Sequence, residues 1–180
     1  SIIRGFTIQN CIPTTKNGSA IFVEDNSGIS IRCCLFKFNQ VDNEGNGSVI
    51  QFGDTETSGP QSSIDSCIFY KNNSYLIYSS KKSWHIRYCL FEQNTSTGGF
   101  IGNAHDAGDD QDISHSVFRD NNANHNIVSL GHAKTLTESF FINNTSQDQG
   151  LIYMGTVWSG TNIVDHCTFY NNSATLYNNN

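Results

Sequence analysis

Four aspartates fall within seven residues, Asp106, Asp109, Asp110 and Asp112, with His105 beside them. A hard cation such as Ca²⁺ gathers roughly six to eight oxygen ligands, so this stretch is the chain's candidate metal site, and Ca²⁺ its one candidate cofactor. It lacks the alternating ligands and placed glycine of an EF-hand loop, and the competing expectation is a solvated acidic loop. The six histidines, His85, His105, His115, His125, His132 and His166, share no zinc-ligand spacing, which assigns them to surface or packing roles. Trp84, Trp158, Tyr153 and Tyr177 are candidate flat platforms for sugar rings; the alternative is stacking on a neighbouring part of the chain.

The elements that must position these groups are legible from self-similarity. A motif, apolar-x-x-Cys/Ser-x-Phe-x-x-Asn, occurs six times: Ile31-Cys34-Phe36-Asn39, Ile64-Cys67-Phe69-Asn72, Ile86-Cys89-Phe91-Asn94, Ile113-Ser116-Phe118-Asn121, Leu136-Ser139-Phe141-Asn144 and Val164-Cys167-Phe169-Asn172. A degenerate copy, Ile3-Phe6-Ile8-Cys11, opens the chain. Between copies lies a small or glycine-containing turn followed by alternating apolar residues, as in Gly47 to Phe52, Gly98 to Ile101 and, last, Ala174-Thr175-Leu176. The leading apolar residues stand 22 to 33 residues apart, a period that means one supersecondary unit per repeat.

Apolar spacing within each unit is two, the periodicity of a strand with one buried face. Helical stripes and leucine ladders are absent, and a propeller blade needs about 40 residues or more. The chain is therefore expected to be all-β: a single domain over residues 1–180, built as a right-handed parallel β-helix of about six to seven coils. Stacked coils place like residues in columns about 4.8 Å apart. The phenylalanines then form a core column, and Asn39, Asn72, Asn94, Asn121, Asn144 and Asn172 a hydrogen-bonded ladder at the strand ends, where asparagine also tolerates left-handed backbone. Cys34, Cys67 and Cys89 share one inward position whose pitch exceeds the usual disulfide Cβ separation, so free buried thiols are expected.

These residues resemble the polymorphic outer membrane protein repeats of chlamydial-type autotransporter adhesins, which also occur in protist surface proteins. The resemblance is carried by the six Phe-x-x-Asn copies and by Gly-x-x-apolar relatives at Gly18 to Ile21, Gly47 to Ile50 and Gly98 to Ile101. No strict Gly-Gly-Ala-Ile is present. More broadly the chain, including Ile3-Arg4-Gly5-Phe6-Thr7-Ile8, is similar to the pectin-lyase-like β-helix superfamily. The resemblance implies an extracellular, cell-surface, non-enzymatic adhesin or structural module whose partner is a surface protein or glycan of a host or neighbouring cell. The alternatives are a polysaccharide-binding or polysaccharide-processing β-helix and a spacer or filament-forming repeat. Solenoids need capping units, so flanking coils or another copy are expected at the ends.

A net charge of −6, a pI near 5.3 and ten scattered Lys and Arg leave no basic stripe for a phosphate backbone, so nucleic acid is not an expected partner. No apolar run approaches the roughly 20 residues of a membrane helix, and no signal peptide or initiator Met opens the chain, which is expected to be excised from a longer precursor. Asn-x-Ser/Thr sequons begin at Asn17, Asn46, Asn72, Asn94, Asn143, Asn144 and Asn171. Ladder positions Asn72, Asn94 and Asn144 should spend their amides inside the stack, while Asn143 and Asn171 stand one residue earlier and Asn17 and Asn46 sit in loops. On expression through a eukaryotic secretory pathway, glycopeptide mass spectrometry should find sugar at Asn17, Asn46, Asn143 and Asn171. The opposite pattern would overturn the register.

Overall fold

The computed structural model describes residues 1–12, 20–24, 27–40, 48–53, 61–79, 83–103, 111–130, 134–148, 150–154 and 161–175. These residues form a parallel β-solenoid, with no helix among them. Four parallel sheets run along its length, with seven, seven, six and four strands. The strands at Ile2–Arg4, Ser30–Arg32, Ser62–Asp65, Trp84–Arg87, Gln111–Ser114, Lys134–Thr137 and Ile163–Asp165 make the first sheet. Those from Thr7–Gln9 and Leu35–Lys37 through Thr168–Tyr170 make the second, and Ile21–Val23 through Ile152–Met154 the third.

Alternation puts one set of side chains inside each sheet, and the registers align them. Ile31, Ile64, Ile86, Ile113 and Leu136 pair in sequence along the first sheet and are all fully buried. In the second sheet Phe36, Phe69, Phe91, Phe118, Phe141 and Phe169 stack with ring centroids 4.9, 4.8, 4.5, 4.6 and 5.0 Å apart. Successive rings lie within 15° of parallel. The rung spacing of a parallel sheet imposes this geometry on any aromatic column that keeps one rotamer. Just ahead of the third-sheet strand Ile101–Asn103, a Cβ at Gly99 would come within 2.8 Å of the Asn126 backbone carbonyl and one at Gly98 within 2.5 Å of the Tyr75 ring, so a side chain at either glycine would force its neighbours to move.

Between first and second sheets, and again after the second, the chain turns through a single left-handed residue. The first corner holds Gly5, Cys33, Ser66, Tyr88, His115, Glu138 and His166; the second holds Asn10, Phe38, Lys71, Gln93, Asp120, Asn143 and Asn171, with φ between 49° and 75°. The left-handed residue is therefore the one before the ladder asparagine, not the asparagine itself, and its side chain points outward. The asparagine follows it inward. Asn39, Asn72, Asn94, Asn121 and Asn144 each donate from Nδ2 to Oδ1 of the next asparagine at 2.9–3.0 Å. Each also donates to the carbonyl of the column residue one rung back, as Asn94 does to Phe69 at 2.9 Å.

A short fourth sheet, from Thr95–Ser96 to Ser173–Ala174, follows directly after the ladder. It claims Ala174, which pairs with Ser146 rather than continuing the third-sheet pattern. The first corner carries an analogous column: Cys34, Cys67, Cys89, Ser116, Ser139 and Cys167 each donate to the carbonyl two residues earlier. All six cysteines are free thiols, and burial pushes the Cys89 thiol well up from its ordinary pKa.

One inward column of the first sheet, which includes buried Ser62 in register with Trp84, breaks the apolar pattern. Trp84, one of the candidate sugar platforms, is 1% exposed, because it lies two residues before inward Ile86 on the same strand face. Gln111 and Lys134 follow it in register. Lys134 is fully buried, its Nζ has no hydrogen-bond partner among the described residues, and burial alone lowers its pKa to about 7.

Phe91→Ala, at the centre of the ring stack, should cost about 3–5 kcal/mol in urea denaturation, and a loss under about 1 kcal/mol would show that the column does not carry the core. The folded state holds the Lys134 pKa near 7 against 10.5 for the free side chain, so it binds fewer protons between those values. Stability should thus rise with pH above 7, by up to roughly 1.4 kcal/mol per unit, until thiol ionisation opposes it near pH 9. Lys134→Met should raise stability at pH 7 and flatten that rise; an unchanged slope over pH 7, 8 and 9 would mean that water reaches the amine.

Candidate functional site

Because the residue after each leading apolar position faces out, the first sheet's register gathers side chains that the sequence separates. Arg4 pairs with Arg32, Arg32 with Asp65, and Asp65 with Arg87. Three of the chain's four arginines therefore stand in one exposed column within four rungs. Beside it, the corner column is small at Gly5, Cys33 and Ser66 and large from Tyr88 onward. That change of size opens a cleft of about 460 Å³ lined by Arg4, Arg32, Cys33, Asp65, Ser66, Arg87 and Tyr88.

The arginines differ in how firmly they are held. Arg87 donates to Asp112 Oδ2 at 3.0 and 3.3 Å; the same oxygen lies 3.3 Å from His85 Nδ1, and Asp112 Oδ1 accepts from Thr135 at 2.8 Å. Arg32 Nε donates to Ser30 Oγ at 2.9 Å and stands 3.6 Å from Asp65. Arg4 pairs with no carboxylate among the described residues. Tyr88 is 61% exposed and leans on His115 of the next rung, ring centroids 4.8 Å apart, which turns its other face toward the rungs of Ser66 and Cys33.

Across the same corner, the outer face of the second sheet carries an apolar stripe. Leu35, Ile68, Leu90, Val117 and Phe140 pair consecutively along five rungs, each immediately before a core phenylalanine. Ile68 is 40% and Phe140 47% exposed, and the other three are half-buried. The neighbouring outward column, Lys37, Tyr70, Glu92, Arg119, Ile142 and Tyr170, is mixed, with Arg119 and Glu92 paired at 2.8 Å.

Asp106, Asp109 and Asp110 lie outside the described residues, as do Asn17, Asn46, His105, His132, Trp158 and Tyr177. Asp112 lies in the strand Gln111–Ser114, with its carboxylate occupied by Arg87, His85 and Thr135. Among the described residues no three His, Cys, Asp or Glu side chains are grouped to hold a metal. The remaining described histidines each face a carboxylate: His115 faces Glu138, His125 Asp148 and His166 Asp165. Asn143 and Asn171 are exposed at left-handed positions, whereas Asn72, Asn94 and Asn144 are buried. Neither the arginine column nor the apolar stripe was anticipated. Their signal lies in phase: arginine follows the leading apolar residue, and an apolar residue precedes the phenylalanine, where two neighbours cannot both face the core.

No protein-family model, curated protein or solved structure matches the chain. What stands is the class: a parallel β-solenoid, consistent with a β-helix superfamily.

Proposed function

We propose that the chain is a non-enzymatic binding module, an extracellular rod of the kind found in the polymorphic outer membrane protein-type adhesins that it resembles. The observation carrying this reading is that its described outward columns join a cationic cleft to an apolar stripe at one corner, on a scaffold whose ladder side chains are spent holding rungs together. Exposed apolar area bordered by charge marks an interaction surface. Further coils, or a second copy, continue the stack in the same reading.

The rival, a polysaccharide-processing β-helix, is less well supported. Glycoside hydrolysis takes two carboxylates about 5 to 9.5 Å apart across the bond, and among the cleft's described residues Asp65 is the single carboxylate, flanked by arginines. Incubation with pectins, alginates and host-cell glycans should yield no new unsaturated or reducing ends. Turnover that disappears on substituting Asp65, or Asp106, Asp109 and Asp110, would overturn the proposal.

A further inference from the structure

We infer that the corner between the first and second sheets is a docking surface for a protein segment that presents acidic side chains beside apolar ones. The inference deepens the reading of the chain as a binding module and rests on it.

Charge complementarity sets one half of the match. Among the described residues lining the cleft or bonded to its arginines, three guanidinium groups, Arg4, Arg32 and Arg87, face two carboxylates, Asp65 and Asp112, an excess of one positive charge. Among the described residues Arg4 is the one of the three with no carboxylate partner, and Arg32 stands 3.6 Å from Asp65, so these two are placed to offer donors to a partner carboxylate in the planar fork geometry that guanidinium favours. Arg87, braced through Asp112 by Thr135, is preorganised at the cleft wall.

The apolar stripe sets the other half. Leu35, Ile68, Leu90, Val117 and Phe140 span four rung steps, roughly 19 Å at the spacing of a parallel sheet. That is the length of about six residues of extended chain or about 13 of helix. Tyr88 stands between stripe and arginines, exposed and supported from behind by His115. Arginine and tyrosine around apolar contacts are the composition in which binding energy concentrates at protein interfaces. An anionic glycan would use the arginines but leave the stripe uncovered. A polynucleotide would meet a chain of net charge −6 with no further basic column among the described residues of this corner.

The test is selection of displayed 12-residue peptides on the immobilised 180-residue chain, followed by affinity measurement of the selected peptides. The expected winners carry Asp or Glu beside Leu, Phe or Trp, weaken as salt rises, and lose at least tenfold in affinity to the Arg4→Gln/Arg32→Gln variant and, separately, to Tyr88→Ser and Ile68→Ser. All these positions face outward, and matched melting curves will show that the variants stay folded. Basic or uncharged winners, affinities unchanged in the variants, or tight binding instead of a glucuronate-containing tetrasaccharide or a ten-nucleotide DNA strand would overturn the inference. So would a solution dimer dissolved by Ile68→Ser, which would make the stripe a contact between copies. Undiminished adhesion of the variants to whole cells would also overturn this surface while leaving the binding-module reading standing; polysaccharide turnover would remove that reading itself.

Discussion

A coil that must turn within one residue leaves backbone groups that no strand neighbour can satisfy, and the rest of this structure depends on how those groups are met. At each corner the left-handed residue donates forward to a carbonyl of the next rung, as Cys33 does to Asp65 and Phe38 to Tyr70. The N–H that follows has no such partner. It is taken by a side chain instead: Cys34 N–H by Cys67 Sγ, Cys89 N–H by Ser116 Oγ, Asn39 N–H by Asn72 Oδ1 and Asn94 N–H by Asn121 Oδ1. A buried N–H left unpaired costs about 1–3 kcal/mol, a penalty that would recur at two corners in every rung.

That demand explains why one corner takes asparagine and the other accepts cysteine or serine. Beyond the second corner the column must accept from the rung before and donate both backward and forward along the axis, which needs the carbonyl and the NH₂ of a carboxamide. At the first corner the side chain donates to a carbonyl of its own rung, and a short thiol or hydroxyl suffices. It also explains how Phe38, Lys71, Tyr88 and Glu138 can hold positive φ. Each such residue costs of order 1–3 kcal/mol, and the ladders and the phenylalanine stack on either side over-determine the turn.

The columns that bond or pack along the axis were legible in the sequence because their chemistry is specific: asparagine recurs three residues after phenylalanine, and Cys or Ser two before it. The left-handed position was not legible, because the stack imposes that conformation and the residue's own preference plays little part. Trp84 was a candidate outward platform, although its spacing of two from Ile86 places it with the core. The arginine column was hidden by distance, since Arg4, Arg32 and Arg87 are far apart along the chain and meet only once the rung lengths fix the register. Loop length varies between them without disturbing the columns, and a count of basic residues along the chain carries no trace of their meeting.

The same constraint separates what can vary from what cannot. Inward corner residues are held by bonds to the rungs on both sides, so a change at one propagates along the axis. Outward residues at the corners and on the faces are released from that duty: the first corner passes through glycine, cysteine, serine, tyrosine, histidine and glutamate without altering the backbone. Side-chain size there is free to carve relief, and the step from Ser66 to Tyr88 carves the cleft. A solenoid built this way uses its interior to fix the register of the rungs and its exterior to write a local surface on them. Binding specificity in this chain then rests on which outward residues fall on adjacent rungs, a property of rung length that substitutions in the ladders would destroy and substitutions in the cleft would leave intact.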